Sequence, residues 1–132
     1  MGTQARAVED RSVVACWRFD EGAGAIAADA SGNGHDCALS DPVWVDGIAG
    51  KALFFDRGQR TVGLVKHTPR LALKTFALSF WFLTDQPDLS DNQLFVKMRD
   101  GKQGFRVIAD RGRIVFQVPT EETAFGCLMF GC

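Results

Sequence analysis

Apolar residues along this chain recur mainly at every second position. Val13, Ala15, Trp17 and Phe19 alternate with Val14, Cys16, Arg18 and Asp20, the period of a strand with one buried face. The same period predicts strands over residues 13–19, 26–28, 35–39, 52–55, 61–65, 75–84, 93–97, 104–109 and 113–118. Turn residues punctuate them about every 8 to 12 positions, the rhythm of an all-β sandwich or barrel. No helical stripe survives the glycines and prolines for long. Around Asp110-Arg111-Gly112 the pattern predicts a hairpin, because a tight turn needs the positive backbone angles that glycine tolerates. In 75–84, Phe76, Leu78, Phe80 and Phe82 fall on one face and Ala77, Ser79, Trp81 and Leu83 on the other. A strand apolar on both faces is expected to lie centrally, with core on one side and a groove or covering loop on the other.

Composition narrows the class. The 132 residues suit one domain, and 46% apolar residues with a net charge of −1 describe an ordinary globular chain. Basic and acidic residues, 15 and 16, are spread along the sequence, so no basic field exists to gather phosphates and nucleic acid is excluded as an expected partner. No apolar run reaches the length of a membrane span, and residues 1–14 lack the apolar stretch of a signal peptide. Residues 1–11 are polar and aperiodic, the pattern of a mobile leader. Cys16, Cys37, Cys127 and Cys132 allow three pairings into two disulfides that spacing does not separate, and Cys16 and Cys37 read equally as small buried hydrophobes. No zinc-type spacing occurs.

The chemistry concentrates in Asp29-Ala30-Ser31-Gly32-Asn33-Gly34, where oxygen-bearing side chains at alternate positions precede a glycine. Loops that wrap a hard cation use such spacing, and Asp20, Glu21 and Asp36 lie close in sequence. It is not an EF-hand, since counting from Asp29 the required glutamate falls on Ser40. The competing reading is an Asx-rich turn whose side chains satisfy its own backbone. Catalytic patterns are missing: Glu121 and Glu122 are adjacent and split to opposite strand faces, Asp85, Asp88 and Asp91 fall in a Pro87 loop, and neither His35 nor His67 has a nucleophile-elbow partner. His35 reads as a surface strand residue.

Three ordered blocks carry a resemblance: Trp17-Arg18-Phe19-Asp20-Glu21-Gly22 with the loop after it, Gly47-Ile48-Ala49-Gly50-Lys51-Ala52-Leu53-Phe54-Phe55-Asp56, and Thr75 to Phe82. Together they resemble a laminin G-like domain of the concanavalin A-like lectin/glucanase superfamily. The resemblance implies an all-β, antiparallel two-sheet jelly-roll sandwich over residues 12–118, covering the first part of the family domain, with 119–132 as an atypical apolar tail able to act as a substitute strand. It implies a piece of a longer protein at the cell surface or outside the cell, and a non-catalytic module binding a glycan or a glycosylated or protein partner. The Glu-x-Asp-x-x-Glu run of the superfamily's hydrolases is not present, which leaves a fragment of a glycoside hydrolase as a remote alternative. Asp29 and Asn33, with Asp20, are the implied ligands of a structural calcium ion. Trp81 is the implied sugar-stacking platform, against the alternative of filling beneath a loop. An incomplete sandwich leaves unpaired strand edges, which favours edge-to-edge pairing of copies.

Overall fold

The computed structural model describes residues 12–56, 58, 60–86, 88, 90–99, 103–118 and the backbone of 126–130. The expected leader over 1–11 lies outside them. The chain divides into two compact units, Met1–Ala77 and Leu78–Cys132. Every sheet is antiparallel, and the described residues contain no α-helix.

In the first unit, β1 (Ile26–Ala27), β2 (Cys37–Ser40) and β5 (Val62–Val65) form one sheet in the order β1-β2-β5. The hairpin of β3 (Val43–Asp46) and β4 (Lys51–Phe54) comes between β2 and β5 in the chain. Ala27, Cys37 and Leu39 are the buried centre, and Trp17, Phe19, Trp44, Leu53 and Val65 pack around it. The alternation of β2 explains this: Cys37 and Leu39 turn inward while Ala38 and Ser40 face out. A single 3₁₀ turn, Pro69–Leu71, follows β5.

In the second unit β6 (Asn92–Arg99), β7 (Gln103–Asp110), β8 (Arg113–Val118) and β9 (Gly126–Phe130) form a meander in which each strand pairs with the next in sequence. Phe105 stacks on Phe95 at 5.7 Å and on Phe116 at 5.3 Å between ring centroids, along one face. Ile108 and Val115, directly paired across β7 and β8, are buried on the other. The predicted hairpin is present, with Asp110 opposite Arg113 and both Arg111 and Gly112 at positive φ. The apolar tail supplies β9 along β8.

Two expected strands differ. Residues 13–19 form one bridge, Trp17 to Asp29, rather than a ladder. The amide of Cys16 is taken by a side-chain carboxylate, and Phe19 turns out of the strand at φ 59°. Residues 75–84 join no sheet among the described residues, because alternation specifies two faces without supplying a neighbouring strand. The alternation itself persists in burial: Phe80 and Phe82 are half-exposed, while Trp81 and Leu83 are each 93% exposed. The β3 strand was not anticipated from the pattern.

Two glycines give a test of this frame. Gly104 has φ 128° and an added Cβ would overlap the Lys97 carbonyl, whereas Gly112 has φ 75° with open space around it. Gly112→Ala is expected to cost about 1–2 kcal/mol from backbone strain alone. Gly104→Ala should cost more than about 3 kcal/mol, measured by urea unfolding, since β6 and β7 must separate to admit it.

Candidate functional site

The loop after the Trp17 segment is built around Asp29. Its Oδ1 accepts the amides of Cys16 and Ser31, each at 2.9 Å, and its Oδ2 accepts the amide of His35 at 2.9 Å. One carboxylate therefore ties the incoming strand, its own turn and the start of β2. The side chain has no solvent exposure. Burial pushes its pKa up, but the hydrogen bonds from Ser31, Cys16 and His35 outweigh that and hold it at about 2.

Neighbouring acidic groups behave alike. Glu21 Oε1 accepts the Ala28 amide at 2.8 Å, Asp36 Oδ1 accepts the Asp29 amide at 2.8 Å, and Asp20 Oδ1 accepts the Lys51 amide at 3.3 Å. Asn33 uses its amide nitrogen on the Val13 and Val14 carbonyls, at 3.1 and 3.0 Å, and on Ser31 Oγ at 3.2 Å. Its oxygen accepts from Arg70 of the 3₁₀ turn.

Asp29, Asn33 and Asp20 are thus not gathered around a common point. Asp29 and Asn33 share one loop but aim at N–H donors and carbonyls, and Asp20 serves the β4 side of the first unit. Among the described residues no group of three or more His, Cys, Asp or Glu side chains could hold a metal ion. A calcium ion does not fit this arrangement, because the Asp29 oxygens face three N–H groups and the Asn33 oxygen faces a guanidinium.

His35 is a correction to the surface placement: it is 3% exposed. Its Nδ1 lies 3.1 Å from the Val14 carbonyl and 3.5 Å from Asp29 Oδ2, and its Nε2 lies 2.8 Å from Thr68 Oγ1. The Trp17 indole donates to the His35 carbonyl at 2.7 Å. A histidine directly after a turn glycine gave no pattern signal, since its burial comes from contacts up to 33 residues away. Cys16 and Cys37 are free thiols, and burial pushes the Cys37 thiol up, away from reactivity. The side chains of Cys127 and Cys132 lie outside the described residues.

Trp81 belongs to the second unit. It stands almost wholly in solvent, while its chain neighbours Phe80 and Phe82, on the alternate face, have ring centroids 6.0 Å apart at 47°. From Thr75 to Thr84 the chain carries no charge.

Comparison with families of known proteins gives no match, and neither does comparison with curated proteins. Among solved structures, a fragment (residues 221–444) of an S-layer domain-containing protein from Clostridium thermocellum ATCC 27405 superposes with a TM-score of 0.74 at 19% identity. The fold is all-β and antiparallel. The likeness covers 89% of this chain and 57% of that fragment, so the chain spans little more than half of its neighbour's length. A β-sandwich is consistent with these antiparallel sheets. No helix among the described residues is long and apolar enough to cross a membrane.

Two outcomes follow from the hydrogen bonds. Asp29 is ordinarily near 3.8 and lies at about 2 when folded, so its contribution is present above pH 4 and is lost as pH falls through the folded value. Asp29→Asn should lower stability at neutral pH by roughly 2 kcal/mol, with the gap to wild type closing between about pH 4 and pH 2 in acid unfolding. Calcium and chelator should leave the melting temperature of the wild-type chain unchanged, checked by calorimetry.

Proposed function

We propose that the chain is a non-catalytic, laminin G-like recognition module of a cell surface or secreted protein, taking a carbohydrate or glycosylated partner on the strip around Trp81. The observation that carries the proposal is the indole of Trp81, 93% exposed on an uncharged segment. Sugar rings present C–H faces that pack on aromatic planes as apolar surface does, and an exposed tryptophan keeps its N–H for a hydroxyl. The surface location draws support from the S-layer domain-containing neighbour. The acidic groups of the first unit are engaged in holding backbone, which favours binding over hydrolysis.

A second reading, a domain for protein contacts with no sugar site, is favoured by Leu83. It is as exposed as Trp81 and offers only apolar surface.

Glycan-array screening followed by titration calorimetry tests the first reading. Trp81→Ala should remove about 2 kcal/mol of binding, roughly thirtyfold in Kd, while leaving the melting temperature unchanged. Glycan binding that survives Trp81→Ala would sink the sugar-platform assignment. Silence on the array, with capture of a protein partner that Leu83→Ser abolishes, would establish the second reading instead.

A further inference from the structure

Asn33 is followed by Gly34, and an asparagine before glycine is chemically the most exposed of its kind: the following backbone nitrogen meets no Cβ on its own residue as it approaches the side-chain carbon. Gly34 here has φ 77° and nothing within 4 Å of where a Cβ would stand, so no neighbouring atom crowds the Gly34 α-carbon. What opposes the reaction is the hold on the side chain. Its Nδ2 is directed to Val13 O, Val14 O and Ser31 Oγ, its oxygen is held by Arg70, and its own amide donates to Ser31 Oγ at 3.3 Å. The side-chain carbon cannot swing toward the Gly34 nitrogen without giving up these bonds.

We propose that Asn33-Gly34 is a gated deamidation site, closed by this clamp and opened when the Arg70 turn lifts away. In the step, the Gly34 nitrogen bonds to Cγ of Asn33, the Cγ–Nδ2 bond breaks, and ammonia leaves with the proton from the Gly34 amide. Water then opens the cyclic imide at either carbonyl, giving aspartate or isoaspartate. The net change is loss of ammonia and gain of water, with no oxidant or reductant.

The location gives the modification a structural consequence. A carboxylate at position 33 points an acceptor at the Val13 and Val14 carbonyls, where a donor stood. Isoaspartate adds a backbone carbon between the Ser31 turn and His35, displacing the His35 amide from Asp29 Oδ2. Either product loosens the incoming strand from the loop that anchors it. Arg70 sets the gate because its turn is itself docked through Thr68 on His35.

The test is peptide mapping with isoaspartate quantification on the full chain held in mildly alkaline buffer. Native wild type should deamidate at Asn33 at least about tenfold more slowly than the same chain in urea, and Arg70→Ala, folded by circular dichroism, should react roughly tenfold faster than native wild type. Equal rates for native and urea-unfolded wild type would overturn the clamp, a comparison that needs no variant to fold. An Arg70→Ala rate equal to wild type would overturn Arg70 as the gate. Asn33→Asp, the product made genetically, should melt below wild type; an unchanged melting temperature would overturn the structural consequence.

Discussion

A single buried carboxylate sets the geometry of the first unit. Asp29 receives three backbone amides from segments that have no ladder in common, and each would otherwise be an unsatisfied donor at the edge of a core. Burying the charge is costly, and three charge-assisted bonds offset that cost. The remaining local features arrange themselves around this: the lone Trp17 to Asp29 bridge, the bond from the Trp17 indole to His35, and the imidazole lodged between Val14 and Thr68. An acidic loop that resembles a cation site in composition is here an acceptor array for its own main chain.

That distinction marks the limit of what the residue pattern could reveal. Alternation located β1, β2, β4, β5, β6, β7 and β8, because a strand with one covered face writes its period into the sequence. The Arg111-Gly112 turn was legible for the same kind of reason, a local backbone demand met by a glycine. The alternatives for the Asp29 loop were both legible, yet choosing between them depends on where the amides of Cys16 and His35 point, which no spacing rule contains. His35 was hidden because its partners come from Val14 and Thr68 on separate segments. The stretch 75–84 alternates apolar residues on both faces, but the expected central strand is not there: it pairs with no described strand and all its residues are exposed, because a ladder also requires a neighbour and composition is silent about neighbours.

Asp29 is buried in the first unit, and Trp81 is exposed in the second. In the first, polar atoms are consumed internally and the apolar residues close a core. In the second, a stacked aromatic face organises the sheet while the segment before it presents an indole outward.

The meander has a kinetic corollary. Each of its strands meets the one before or after it across a short connection, so its loop-closure entropy is small. The first unit closes through pairs separated by 13, 31 and 33 residues, at Cys16 with Asp29, Lys51 with Asp20, and His35 with Thr68. By contact order, the C-terminal hairpins and the local β3–β4 hairpin are expected to form before the long-range pairs of the first unit close.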